Sequence, residues 1–478
     1  MLPASTVIPV QEAQALGVIG LRWDNETLVI GVSDTLSPED RTAVQQRVAQ
    51  GINAPVAALS MPIELIQETL AIVYTTFGQK IETAAIALSN ESDGPIADIV
   101  NFVLDQAVRL RASDIHIEPN DKDLVIRIRV DGKLEQLTRY PNSILAPLVS
   151  RLKVLAKINI VERRRPQDGQ FTVSIGGRDV DVRLATVATL HGEKATLRLL
   201  DTKRPLMDLQ ALGMSRNHFE RLMTLINSPY GLVVAAGPTG SGKTTTLHSA
   251  LHYINTPDRN VTTIEDPVEY VVDGITHIPI IEEIGVGFST QLRAVLRQDP
   301  DVIMVGETRD AETARISVQA ALSGRLVLTS LHAPDAVGVL YRLFQMEIES
   351  HLVAASLRGV VSQRLVRRVC EFCTSEYAAT SAEKEILHQP SDKPLKLRRG
   401  LGCTMCRGTG YRDRIGVYQI FEISERMREI ISTRPEPGEL YAQAVKEGLR
   451  SLADEAYDLV LAGKTTMEEA FRLATNDE

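Results

Sequence analysis

The sequence predicts an α/β protein of several domains, and three features predict it. The run Leu232-Val233-Val234-Ala235-Ala236 reads as a buried strand, enters a glycine-rich loop and gives way to a helical pattern over residues 245–253. Three further short strand-like runs, at residues 260–264, 302–306 and 326–330, have the length and branching of buried parallel strands. Upstream, residues 124–134 and 171–187 alternate apolar and polar positions across Asp131-Gly132 and Gly176-Gly177, a hairpin pattern.

Along the 478 residues four regions are expected, and at roughly 100–200 residues per domain they suggest about three domains. Residues 1–85 join the strand-like Thr27-Leu28-Val29-Ile30-Gly31-Val32 to helical patterns over 39–48 and 63–75, a small α/β module. Turn-forming Glu91-Ser92-Asp93-Gly94-Pro95 follows it. Residues 96–205 form a second α/β domain. Residues 206–425 hold the glycine loop, with a cysteine module at about 368–410. Residues 426–478 read as short helices broken at Pro435, Pro437, Gly438, Gly448 and Gly463.

Composition narrows the function classes. The content is 44% hydrophobic and 24% charged, that of an ordinary globular protein. A net charge of −9, a pI near 5.6 and only 4% aromatic residues argue against a dedicated nucleic-acid binder. Such a protein needs basic surface for phosphates and rings for base stacking. No apolar stretch approaches the ~20 residues needed to cross a bilayer. Met1-Leu2-Pro3-Ala4-Ser5-Thr6 lacks the charged and apolar regions of a signal peptide. Membrane association is therefore expected only through a partner.

Gly237-Pro238-Thr239-Gly240-Ser241-Gly242-Lys243-Thr244 is a GxxxxGK[ST] phosphate loop between a strand and a helix, the context that gives the pattern meaning. Its backbone N–H groups and the helix N-terminus favour phosphate, Lys243 should reach the β- and γ-phosphates, and Thr244 should ligate magnesium. The later strand runs end in Glu265-Asp266-Pro267-Val268-Glu269, in Glu307 and in Leu331-His332. In an open parallel sheet ligands bind beyond the carboxyl ends of the strands. Glu307 thus suits the magnesium shell, Glu269 or Glu265 the attacking water, and His332 a γ-phosphate sensor. Alternation places Arg183 opposite Val180, Val182 and Leu184, and Arg198 opposite Leu197 and Leu199, so both arginines are presented.

All four cysteines fall in two CxxC pairs, Cys370 with Cys373 and Cys403 with Cys406, 29 residues apart. Two such knuckles complete a tetrahedral Cys₄ set with no open position, which predicts structural zinc.

Taken in order, several runs resemble the assembly ATPases of type II secretion and type IV pilus systems. They are residues 111–119 (Arg-Ala-Ser-Asp-Ile-His-Ile-Glu-Pro), 164–169 (Arg-Arg-Pro-Gln-Asp-Gly), 237–245, 263–269, 296–301 leading into Gly306-Glu307, and 363–367 (Gln-Arg-Leu-Val-Arg). The resemblance spans about 97–425. It implies a RecA-like ATPase domain preceded by a PAS-like domain and a small N-terminal docking domain. It implies an ATP site that includes Thr245, an Asp box with Glu269 as catalytic base, Glu307 as the Walker B glutamate and His332 as the His box. It implies that Arg183, Arg198, Arg297 and Arg414 act on the nucleotide. Since the first two are presented in a domain that precedes the phosphate loop, a flexible connection near residues 203–209 is expected to swing them on and off the phosphates. It further implies a cytoplasmic homo-hexamer, peripheral at the inner membrane. There it would work with a platform protein and the cytoplasmic domain of an assembly protein, with ATP, Mg²⁺ and Zn²⁺ and without nucleic acid. Retraction ATPases of the same superfamily lack the cysteine module. The family's His-Thr-Asn-Asp-Ala run is His332-Ala333-Pro334-Asp335-Ala336 here, so the role of the missing hydroxyl is open. The alternative from a different class is a nucleic-acid motor with a zinc module, which the acidic pI weighs against.

Overall fold

The hairpin pattern of residues 124–134 and 171–187 becomes part of a six-stranded antiparallel sheet of order β6-β5-β4-β9-β8-β7. Its strands are β4 (Asp114–Pro119), β5 (Asp123–Val130), β6 (Lys133–Pro141), β7 (Gln167–Ile175), β8 (Arg178–Thr189) and β9 (Gly192–Leu200). The computed structural model describes residues 3–78, 94–200, 206–281 and 285–475. Helices Gly94–Arg109 and Leu145–Leu155 cover one face of this sheet, joining Ile115, Ile126, Val182 and Leu197 in one apolar core. The other face keeps the polar half of the alternation.

The N-terminal module is a three-stranded sheet, β1 (Val18–Asp24), β2 (Thr27–Ser33) and β3 (Val56–Met61). A hairpin with Asn25 at φ 55° joins β1 to β2. Helix Pro38–Ile52, capped by Ser37 accepting from the Asp40 N–H at 3.1 Å, carries the chain to the parallel β3. Helices Val10–Leu16 and Ile63–Gly78 belong to the same module.

The second sheet has seven strands in the order β12-β11-β13-β14-β10-β15-β18. They are β10 (Gly231–Ala236), β11 (Val261–Glu265), β12 (Ile275–Pro279), β13 (Val302–Val305), β14 (Leu326–Leu331), β15 (Leu357–Val369) and β18 (Tyr411–Glu422). Strands β10 to β14 are fully buried apart from the flank β12, the reason β10, β13 and β14 read as near-continuous apolar runs. Helices Lys243–Ile254, Phe288–Val295, Ala311–Leu322 and Ala336–Gln345 alternate with them. Four helices, Glu425–Ser432, Pro437–Lys446, Leu452–Leu461 and Met467–Thr475, end the described chain, with Ser424 and Ser451 as N-caps of the first and third. Among the described residues no helix is long and apolar enough to cross a membrane.

Contacts divide the chain into two units, residues 1–203 with 369–375 and 399–413, and residues 204–368 with 376–398 and 414–478. The P-loop domain expected over 206–425 encloses the cysteine module. Instead both knuckles belong to the first unit, because Cys370, Phe372, Cys373, Cys403 and Cys406 share an apolar cluster with the N-terminal module. Between them run the ribbon strands β16 (Thr374–Ala378) and β17 (Lys396–Gly400), with helix Ser381–Ile386. Of the expected connections, Glu91 to Asp93 and Lys203 to Pro205 lie outside the described residues.

Candidate nucleotide site and cysteine centre

The loop from Gly237 to Gly242 leaves β10 and opens helix Lys243–Ile254. Gly237 sits at φ 147° and Gly242 at φ 92°. A Cβ on Gly237 would lie 2.5 Å from Ser241 Oγ and 2.6 Å from the Gln363 carbonyl oxygen, so only glycine lets the loop lie against β15. Gln363 Nε2 donates to the Ser241 carbonyl at 2.8 Å and pins the loop from that side. Pro238, Thr239 and Gly240 form its exposed crest.

Lys243 Nζ donates to the Gly237 and Pro238 carbonyls at 2.8 and 2.9 Å. Burial, reinforced by Arg364 and opposed by Glu307, lowers its pKa to about 8. Ser241 Oγ is buried without a hydrogen-bond partner among the described residues. A desolvated ammonium and an orphaned hydroxyl around a glycine turn are groups that a phosphate would satisfy. Thr244 and Thr245, both half-buried, stand on the first turn of the helix.

Strands β11, β13, β14 and β10 run parallel and in register, Ile264 beside Val305, Val305 beside Thr329, and Val234 beside Thr329. Their carboxyl ends therefore deliver Glu265, Glu307, His332 and Gly237 to one sheet edge. Gly306 N–H donates to the Ile264 carbonyl at 2.8 Å, Ser330 Oγ to the Gly306 carbonyl at 2.7 Å, and Thr308 N–H to the Ser330 carbonyl at 2.9 Å. These bonds rivet the peptide on both sides of Glu307, whose carboxylate pairs with Arg309. His332 keeps an exposed edge, and partial desolvation of its ring, then the charge of Lys243, lowers its pKa. Ala333, in place of the family threonine, is 7% exposed and packs in the apolar core, where a hydroxyl would need a partner. The Pro334 carbonyl accepts from Arg364 at 2.7 Å.

Glu265 is one of two groups expected for the water, and the structure gives it another place. It is buried, its Oε2 accepting from His248 Nε2 at 2.9 Å and its Oε1 from Thr263 Oγ1 at 2.6 Å and His277 Nδ1 at 3.0 Å. Burial alone would raise its pKa, but the His248, His277 and Thr263 bonds outweigh that and hold it at about 2. A carboxylate with three internal donors is committed to structure. Glu269, four residues on, is exposed. No sequence motif singles out His248, His277 or Ser330.

Arg183 and Arg198 are direct cross-strand partners on the polar face of the first sheet. Val180, Val182, Leu184 and Leu197 are buried on the other side, whereas Leu199 is half-buried. Arg198 Nε lies 3.2 Å from Asp114 Oδ1 on β4, with its side chain 61% exposed, and Arg183 is half-buried. Arg297, in the turn after helix Phe288–Val295, and Arg414, on β18, are exposed.

The four cysteine sulfurs are buried and lie within 4.8 Å of one another. The Cys370–Cys403, Cys373–Cys406 and Cys403–Cys406 separations are 3.8, 3.7 and 3.7 Å. A metal at ~2.3 Å from each corner of a tetrahedron of sulfurs gives edges of about 3.8 Å. Backbone N–H groups of Gly402, Cys403 and Gly410 donate to Cys373 and Cys406 sulfurs at 3.3, 3.1 and 3.2 Å, a pattern suited to thiolates. The donor set fits zinc.

A family profile described as "Type II/IV secretion system protein" matches residues 89–472. The chain is 43% identical to the type II secretion system ATPase E of Vibrio cholerae over 81% of its length and 76% of the relative's. It is 41% identical to the type II secretion system protein E of Pseudomonas aeruginosa over 84% and 81%. Among solved structures, the ATPase DotB of Legionella pneumophila superposes with a TM-score of 0.59 at 23% identity, over 79% of this chain and 95% of that one, a likeness of fold. The pilus retraction motor PilT with bound ADP gives 0.52 at 25% identity, over 78% and 95%. The chain belongs to the type II/IV secretion system protein family and is an ATPase of that family.

Proposed function

We propose that the chain is a homo-hexameric, magnesium-dependent ATPase. Its turnover powers assembly of a pseudopilus for type II secretion or of a type IV pilus. It works at the cytoplasmic side of the inner membrane with a platform protein and the cytoplasmic domain of an assembly protein. The observation that supports this best is the shared sheet edge. There the glycine loop, Lys243, Glu307 and His332 come from the ends of adjacent parallel strands.

In this reading the backbone of residues 237–242 and Lys243 hold the β- and γ-phosphates. Thr244 and Glu307 hold the magnesium shell, and the bound ion would neutralise charge between the phosphates. Glu269 orients the water, and His332 registers the γ-phosphate. Arg183, Arg198, Arg297 and Arg414 stabilise the charge that develops in transfer. A site completed by arginines from another domain or subunit favours a closed ring of heterologous contacts. The Cys370, Cys373, Cys403 and Cys406 set holds zinc for structure alone, since four thiolates leave no open coordination position.

The test is complementation joined to enzymology. In a strain lacking its own assembly ATPase, the wild-type chain should restore secretion or piliation, and the purified protein should run as a hexamer and release phosphate with magnesium. Failure to restore either process by an active enzyme would overturn the assembly role. Stimulation of turnover by single-stranded DNA would favour a nucleic-acid motor.

A further inference from the structure

The segment carrying Glu269 is held at both ends by two histidines, His248 fully buried and His277 partly buried. It leaves β11 at Glu265 and enters β12 at Ile275. At its start, Glu265 accepts from His248, Thr263 and His277. At its far end, the Val272 N–H donates to His277 Nε2 at 3.1 Å. That bond fixes the tautomer: a neutral ring that accepts at Nε2 carries its proton on Nδ1, the atom facing Glu265. The Tyr270 ring lies 5.2 Å from the His248 ring, and the two imidazoles are near-parallel with centroids 6.1 Å apart. One network thus grips Glu265 before Glu269, and Tyr270 and Val272 after it.

His248 stands on the helix Lys243–Ile254, so the same network ties this segment to the helix that opens with Lys243 and Thr244. His248 is fully buried, and its Nδ1 has no hydrogen-bond partner among the described residues. A position needed only for packing is better filled by an apolar ring, which leaves no orphaned nitrogen.

We propose that His248 and His277 are positioning residues for ATP hydrolysis. Through Glu265 they fix the 266–271 segment to the phosphate-loop helix, and so set where Glu269 meets the attacking water. The proposal rests on the reading of Glu269 as the water-orienting group. A displacement of about 1 Å in such a group costs on the order of a hundredfold in rate.

The experiment is a double-mutant cycle on the full chain. His248→Leu and His277→Leu should each lower kcat about ten- to a hundredfold. ADP affinity, read with a fluorescent ADP analogue, should stay near wild type, while the thermal midpoint falls because buried Glu265 loses a donor. His248→Gln and His277→Gln, which retain an N–H for the carboxylate, should recover part of the loss. In a Glu269→Gln background the same substitutions should change the residual rate by less than about twofold, since the group they position is already gone. Undiminished kcat in the leucine variants, or an equal loss in the Glu269→Gln background, overturns the proposal. Should the leucine variants not fold, the glutamine pair carries the same cycle, and the same two outcomes decide it. Glu269→Gln alone judges the underlying reading: wild-type turnover there removes Glu269 as the water-orienting group, whatever the histidines do.

Discussion

Lys243 carries the buried positive charge of the phosphate loop. Its ammonium is desolvated, its pKa drawn down to about 8, and its present partners are two loop carbonyls. Lys243→Ala should cut phosphate release at least about a hundredfold, as expected when a preorganised donor to developing charge is lost. Glu269→Gln should lose turnover while nucleotide affinity stays, because orienting water does not hold phosphate. Steady-state kinetics beside an equilibrium titration separates the two effects. Glu265 gives a pH test. Its folded pKa of about 2 lies below its ordinary 4.5. The bonded carboxylate therefore contributes stability that is fully present above about 4.5 and is lost as pH falls toward 2. The full contribution is about 3 kcal/mol. Chemical denaturation of wild type and Glu265→Gln should show a gap at pH 7 that closes on acidification through that window. Lys243 and the cysteines were legible in the sequence because a phosphate loop and a CxxC pair are contiguous. The setting of Glu265 was not. Its histidine partners lie 17 and 12 residues away, and His277 reaches it only because β11 and β12 pair with Thr263 beside His277.

At the scale of elements, the antiparallel pairing of β8 and β9 sets Arg183 beside Arg198, with Asp114 of β4 next in the row. Alternation alone assigns each arginine to the polar face; the register that makes them neighbours depends on the hairpin between Thr189 and Gly192. Two guanidiniums side by side, with one carboxylate near Arg198, form an anion-seeking surface. Arg183→Ala and Arg198→Ala should each lower ATPase activity, by about 10³–10⁵-fold if they act as arginine fingers, while circular dichroism stays unchanged. An ordinary solvated arginine would leave activity near wild type. Mixing either variant with the Lys243→Ala chain asks whether one subunit's arginine serves another's nucleotide. Recovered activity in the mixture means that it does. The Glu307 segment likewise depends on strand pairing. Its strand was readable as an apolar run, but the bonds from Thr308 and Ser330 that fix it appear only once β13 and β14 are neighbours.

At the scale of the whole molecule, the cysteine knuckles are the feature that sequence order misplaced. They sit between segments of the second unit in the chain, yet their sulfurs are buried in the N-terminal module's apolar cluster. Elemental analysis should find one zinc per chain. Cys403→Ser should lower the thermal midpoint and the zinc content together, because structural metal binding is folding free energy. Protein stripped of metal should show earlier protease cleavage within residues 1–78, while Lys243 and the sheet edge continue to bind nucleotide.

The bonds from Thr404 Oγ1 to the carbonyls of Gly20 and Leu21, at 2.7 and 3.1 Å, join groups 384 and 383 residues apart. A ribosome adds about 5–20 residues each second, so Thr404 is translated roughly 20–80 s after Gly20. Throughout that interval the apolar surface that later meets Phe372 and the cysteine sulfurs is bare in the nascent chain. The last step in this unit's folding therefore waits until the second knuckle, Cys403 to Cys406, has been made.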